Sequence, residues 1–145
     1  MRLLASCVAL SLAASCSSGG PHREVLAPSP APLPVFSPAV RAGNIVFLSG
    51  QIGVRPGSLE LVPGGIEPET EQTLEHIKTL LEQIGLGLDD VVKCTVFLAD
   101  IRDYAAMNTV YARYFPRDPP ARSTVAGSGL ALGARVEIEC IAAAG

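Results

Sequence analysis

Six of the chain's 12 prolines lie between Pro21 and Pro38, and that cluster limits where a fold can begin. Proline locks φ and lacks a backbone donor, so neither a helix nor a sheet interior tolerates such a density. The run Ala-Pro-Ser-Pro-Ala-Pro at 27–32 favours extended polyproline geometry and offers little to bury. Residues 16–34 are therefore expected to form a Gly/Ser/Pro-rich tether, with one folded domain over 35–145. Extended at about 3.1 Å per residue, the stretch from Pro21 to Pro34 would span roughly 40 Å. About 110 residues remain, enough for one two-layer core but in the size range where oligomerisation often supplies further burial.

Ahead of the tether, Met1 and Arg2 precede an apolar stretch at 3–14, broken by Ser6, Cys7 and Ser11 and of secretory-signal length. Small residues lead through Leu12-Ala13-Ala14-Ser15 into Cys16 and a polar Ser-Ser-Gly-Gly segment. This pattern resembles a bacterial lipoprotein signal, with Ala13 standing where leucine is usual. The resemblance implies removal of residues 1–15 and acylation of Cys16, giving an exported protein held in the cell envelope by its lipid. Two other readings stay open: a soluble periplasmic protein cut near Ser15, and a cytosolic protein with a misassigned start. No apolar run reaches the roughly 20 residues of a transmembrane helix.

Within 35–145 the apolar pattern changes period several times. Residues 39–42 and 45–49 flank Gly43-Asn44, a two-residue turn signal, and read as a β-hairpin. Pro56-Gly57 and Pro63-Gly64-Gly65 bracket a loop or a loose second hairpin. The spacing of Leu74, Ile77, Leu80, Leu81 and Ile84 predicts a helix that opens at Pro68 and ends at Gly85. Val91–Leu98 reads as a central strand, with Val92, Cys94, Val96 and Leu98 on one face and Lys93, Thr95 and Phe97 on the other. A second helix is expected from Asp103 until Pro116 stops it, then strands at 122–125 and 135–142 separated by a Gly-rich loop. Two helices can back one face of a mixed sheet, an α+β arrangement. The other face mixes Phe97 and Ile141 with Thr95, Glu137 and Glu139, which suits a subunit interface better than open solvent.

Charge and residue usage narrow the chemistry. Eleven Lys and Arg against 14 Asp and Glu, interspersed, give a net charge of −3 and speak against a nucleic-acid partner. His22 falls in the tether and His76 mid-helix, and both read as surface residues. That leaves no general base near Ser49, Ser123 or Ser128 for a serine hydrolase. Cys94 and Cys140 lack metal-ligand spacing, and no Gly-rich phosphate loop opens a helix, so neither a metal nor a cofactor is expected. Both cysteines fall on the helix-facing side of their strands and read as buried thiols, with a disulfide open if the strands are neighbours.

The informative residues are Pro120-Ala121-Arg122-Ser123 and Glu137. Two prolines stiffen the approach to Arg122, whose planar fork can bind both oxygens of a carboxylate where lysine offers a point charge. Glu137 alternates with Val136 and Ile138 and so faces away from the helices. A salt bridge between Arg122 and Glu137 at an interface is the plainer reading of the same two residues.

Six blocks in order resemble the RidA (YjgF-type) enamine/imine deaminases: Phe36-Ser37-Pro38-Ala39-Val40 with Gly43-Asn44; Phe47-Leu48-Ser49-Gly50-Gln51-Ile52; Val91–Leu98; Tyr111-Ala112-Arg113-Tyr114-Phe115; Pro120-Ala121-Arg122-Ser123; and Val136-Glu137-Ile138-Glu139. The resemblance implies a chorismate-mutase-like mixed sheet backed by two helices, assembled as a homotrimer with sites between subunits. It also implies hydrolysis of 2-enamino or 2-imino acids, such as 2-aminoacrylate, to 2-keto acids and ammonia without a cofactor. Carried over by position, Arg122 would grip the substrate carboxylate, Glu137 would orient the attacking water, and Gly50 would present backbone to the substrate. Phe36 and Thr124 line the implied pocket but depart from the family, which usually has tyrosine and often cysteine there. The alternative is a tethered trimer that binds small carboxylates or an envelope protein without turnover.

Overall fold

The computed structural model describes residues 22–26 and 35–145. The signal segment, Cys16 and most of the tether lie outside the described residues. One sheet carries seven strands: β1 (Arg23–Leu26), β2 (Ala39–Ala42), β3 (Ile45–Leu48), β4 (Gln51–Ile52), β5 (Val91–Leu98), β6 (Ala121–Ala126) and β7 (Val136–Ala143). Their order is β1-β2-β3-β7-β5-β6, with β4 paired to β7 beyond the end of β3. Only β5 and β6 run parallel, and helix α2 (Tyr104–Tyr114) supplies the crossover that parallel neighbours require. Helix α1 (Ile66–Gln83) packs beside α2 and across β7 and β4, which gives the expected mixed sheet with two helices.

The core lies between the helices and one sheet face. Val136, Ile138, Cys140 and Ala142 of β7 are buried, and they meet Leu74, Ile77 and Leu81 of α1 and Met107 and Val110 of α2 in one cluster. Among the described residues no helix covers the opposite face. There Phe47 and Val125 stay about half exposed (47% and 48%), beside Phe97, Ile141 and a Lys93–Ser123 hydrogen bond.

Helix α1 opens two residues before Pro68. Gly64 and Gly65, at φ 113 and 89, break the chain just ahead of it, and Pro68 falls in the first turn, where its missing donor costs nothing. Gly85, at φ 79, closes the helix, with the N–H groups of Gly85 and Leu86 donating to the carbonyls of Glu82 and Leu81. Buried Glu69 ties α1 to β7: its carboxylate accepts the backbone N–H of Arg135 at 2.8 Å. The Arg135 guanidinium in turn holds Asp103, just before α2, through three hydrogen bonds of 2.8–3.0 Å.

Three expectations change. The tether is not uniformly unpaired, because Arg23–Leu26 forms an antiparallel strand on the free edge of β2. This Arg-Glu-Val-Leu piece contains no proline, so it has the donors an open sheet edge demands; Leu26 packs on the core and Glu24 approaches Arg41 at 3.8 Å. In β5 the register shifts between Val91 and Lys93, so Val91 turns inward and Val92 is left 48% exposed. The remaining alternation holds. Finally, Cys94 and Cys140 are joined in a disulfide rather than sitting as free thiols. They are direct register partners on β5 and β7 with Cα atoms 4.2 Å apart, both buried in the core.

Candidate active site

The sheet separates the expected site residues into two groups. Arg122 of β6 is in register with Cys94 of β5, so its side chain starts from the helix-covered face. Glu137 of β7 is in register with Phe97 and with Ile52 of β4, on the opposite face. Among the described residues no ion pair joins Arg122 to Glu137, so the structural salt bridge is not formed within one chain.

Around Arg122 the helix α2 supplies an aromatic cradle. The guanidinium lies 4.6 Å from the Tyr111 ring centroid and 5.7 Å from that of Tyr104, and it donates to the Tyr104 hydroxyl at 3.3 Å. Tyr104, Asn108 and Tyr111 recur at spacings of four and three, which puts them on one helix face. Burial pushes the Tyr111 hydroxyl up to about 12, with the Arg122 charge opposing, so the phenol stays neutral. Three polar atoms here, Tyr111 Oη, Asn108 Oδ1 and Thr124 Oγ1, are buried without a hydrogen-bond partner. Thr124 follows Arg122 by two along β6 and shares its face. Buried polar groups are ordinarily satisfied, so this cluster is poised for a polar ligand.

Glu137 stands at a cavity of about 540 Å³ that Phe36 and Gly50 also line. The break between β3 and β4 at Ser49-Gly50 shapes it. A Cβ at Gly50 would fall on Glu137 Oε1, so only glycine leaves the carboxylate its place. Ser49 pins the incoming chain through its hydroxyl to the Ser37 carbonyl (2.6 Å) and its N–H to the Pro38 carbonyl (2.9 Å), which holds Phe36 at the rim. Burial raises the Glu137 carboxyl above the usual range, and the Glu139 charge adds to this.

Four residues of these clusters escaped the sequence reading, Tyr104 and Tyr111 of the cradle among them. His76 is half-buried and lines the Glu137 cavity instead of facing solvent; burial lowers its pKa, against a backbone hydrogen bond to Ile52. Its flanks, Glu75 and Lys78, gave it a polar context that hid this. Asn108 sits four residues after Tyr104 on an otherwise aromatic stripe, and that lone amide was the available signal.

The profile of the family described as Endoribonuclease L-PSP matches residues 27–144. A RutC family protein of Pyrococcus horikoshii is 46% identical over 122 residues, covering 83% of this chain and 97% of that protein. The 2-iminobutanoate/2-iminopropanoate deaminase of Capra hircus is 44% identical over 119 residues, covering 82% and 87%. Among solved structures, yeast YEO7 matches with a TM-score of 0.80 and 43% identity over 86% of this chain and 100% of its own. The YjgF gene product of E. coli matches with a TM-score of 0.76 and 34% identity over 83% and 98%.

Proposed function

The chain belongs to the RidA (YjgF-type) family, whose profile carries the description Endoribonuclease L-PSP, and on that premise we propose that it hydrolyses 2-imino acids to 2-keto acids and ammonia. The observation that carries this reading is Arg122, stacked on Tyr111, beside three unsatisfied polar atoms and with no carboxylate partner among the described residues. Such a site wants a small anion with further polar groups. Arg122 and Glu137 project from opposite faces of one sheet, so a complete site takes Arg122 and Thr124 from one copy and Glu137, Gly50 and Phe36 from a neighbour. The exposed apolar sheet face supports a homotrimer as the assembly that brings them together.

The chemistry then needs few groups. An enamine such as 2-aminoacrylate first tautomerises to the imine, moving a proton from nitrogen to carbon. Arg122 holds the carboxylate with both N–H arms of its fork. Glu137, ionised, takes a proton from water as the water oxygen bonds to C2, and returns it to the imine nitrogen to give the neutral carbinolamine. The carbinolamine then collapses: Glu137 takes the hydroxyl proton and passes it to the amino group as the C–N bond breaks, so ammonia leaves and the C2 oxygen becomes the keto group. Phe36 supplies apolar surface but no hydroxyl. An RNA substrate gains no support, since the cavity's ionisable groups are a glutamate and a histidine, and the chain's net charge is −3.

The reading is tested with the purified chain and imines formed in situ by an amino-acid oxidase. Ammonia release above the spontaneous rate is expected; carboxylate binding without release would favour the non-catalytic binder. Export and acylation at Cys16 are part of the proposal, and the buried Cys94–Cys140 disulfide supports them, because such bonds persist in oxidising compartments. Replacing Cys16 with serine is expected to release the protein from the membrane fraction.

A further inference from the structure

The disulfide between Cys94 and Cys140 takes no part in the proposed reaction, yet it lies one strand away from Arg122. Cys94 is the direct register partner of Cys140 on β7 and of Arg122 on β6, so the three residues form one row across the helix-covered face. The Cα atoms of the two cysteines stand 4.2 Å apart, the close spacing of an antiparallel pair that exchanges no backbone hydrogen bonds. The covalent tie is thus placed where the ladder supplies none. It also follows directly on the register shift between Val91 and Lys93, which interrupts the pairing of β5 with β7. β6 is the last strand of the sheet, and among the described residues β5 is its only strand partner. On the other face Lys93 donates to the Ser123 hydroxyl at 2.7 Å, binding the residue before Cys94 to the residue after Arg122. Wherever β5 sits, β6 and Arg122 follow. Both cysteines are buried in the same cluster as Tyr111, on whose ring the guanidinium is stacked.

We infer that the Cys94–Cys140 disulfide positions Arg122, so that the chain grips carboxylates tightly while the bond is closed and less tightly once it is reduced. The inference rests on the carboxylate role given to Arg122 above and on no later step of the deamination. A bidentate grip needs two N–H arms in line with two oxygens, and it tolerates little displacement of the strand that carries them. Opening the bond is a two-electron reduction: a dithiol gives up two protons and two electrons, its own sulfurs join, and Cys94 and Cys140 become thiols. The two sulfurs then part from bonding to van der Waals distance inside a close-packed core, and β5 must shift against β7 to make room. Affinity for carboxylates therefore follows the redox state of the surroundings, and is highest in the oxidising compartment that the export proposal assigns to the chain.

The experiment compares the full chain with the bond closed, the same chain refolded under dithiothreitol, and that chain after the bond is re-formed with oxidised glutathione; peptide mass mapping reports the state of Cys94 and Cys140. Pyruvate affinity is measured by calorimetry, and KM and kcat with imines formed in situ by an amino-acid oxidase. Reduction is expected to weaken pyruvate binding and raise KM about fivefold, with kcat within about twofold and oligomer mass unchanged, and re-formation is expected to restore both. Cys94→Ala/Cys140→Val, which fills the row without the bond, is expected to match the reduced chain. In Arg122→Lys, which keeps the charge but has no fork to aim, reduction is expected to change pyruvate affinity by less than about twofold. A lowered Tm with unchanged pyruvate affinity makes the bond a staple of the fold alone and overturns the inference. So does a fall in kcat without a change in KM, or failure of both the reduced chain and the double variant to fold. Pyruvate binding that responds to the bond in a chain that turns over no imine overturns the deaminase reading and leaves this inference standing. No pyruvate binding by the intact chain overturns both.

Discussion

On the helix-covered face Arg122 is clamped by two tyrosine rings before any ligand arrives, whereas on the other face Glu137 stands at an open cavity. The cradle orients a permanent charge through aromatic faces and a hydroxyl, so little ordering remains when a carboxylate binds. The cavity instead shifts a titratable group by burial and leaves room beside it. On the proposed reading one half would serve recognition and the other chemistry, and the difference predicts that substitutions in them fail differently.

The largest effect is expected at Arg122. Under the proposed role Arg122→Ala would remove a bidentate grip on the carboxylate, of order ~2–5 kcal/mol where the bound pair is desolvated, and Arg122→Lys would restore little because a point charge cannot set the orientation of the imine. Both variants are expected to keep the wild-type fold, and competition by unreactive 2-keto acids checks the loss of affinity directly. Wild-type turnover in a folded Arg122→Ala chain would remove the carboxylate role. Glu137→Gln keeps the size and loses the charge, so kcat is expected to fall on the order of a hundredfold while keto-acid competition holds. If both variants lose affinity equally, the division between recognition and chemistry is wrong.

Mixing the two inactive variants sharpens the division further. If each site joins the cradle of one copy to the cavity of the next, unfolding and refolding an equimolar mixture restores activity to about a quarter of the sites. Complete inactivity of a properly reassembled mixture would place both groups on the same copy.

Smaller effects appear in pH profiles. As the proposed base Glu137 would act ionised, and burial raises its pKa, so the rate is expected to fall on acidification from a pH above the ordinary carboxylate range, and the fall is read from kcat/KM. Stability has the opposite sign. A folded-state pKa above the unfolded one gives stability that is present below the unfolded value and lost as pH rises through the folded value, so Glu137→Gln is expected to hold or raise Tm at neutral pH. His76, shifted down, costs stability as pH falls from its unfolded value near 6.5 towards its folded one. His76→Asn is expected to flatten that part of the Tm profile slightly, the smallest change here.

Much of the frame was legible because apolar periodicity reports burial. The hairpin at Gly43-Asn44, both helices, and the strands bearing Arg122 and Glu137 stand within two residues of their expected ends. What periodicity could not show were features decided by pairing. The shift at Val91/Lys93 depends on β7, and alternation within β5 alone put the wrong valine inside. The disulfide needed β5 and β7 to be neighbours in register, which no spacing of 46 residues reveals. β1 hid inside a proline cluster because composition was averaged over four residues that contain none. At the site, alternation correctly turned Glu137 away from the helices. It could not show that α2 would close over Arg122, nor that His76 would lean into the cavity, since polar neighbours in sequence say nothing of what a helix face meets.

The glycine at position 50 has a consequence for how the protein can vary. Every other L-residue brings a Cβ onto the Glu137 carboxylate, which must then swing aside, and alanine is enough to force this. A random mutational library would therefore return positions 50 and 137 with the same phenotype, loss of turnover in a folded chain, although they lie 87 residues apart in the gene's reading order. Substitution at position 50 is therefore expected to act through residue 137, by displacing its carboxylate, rather than through the fold.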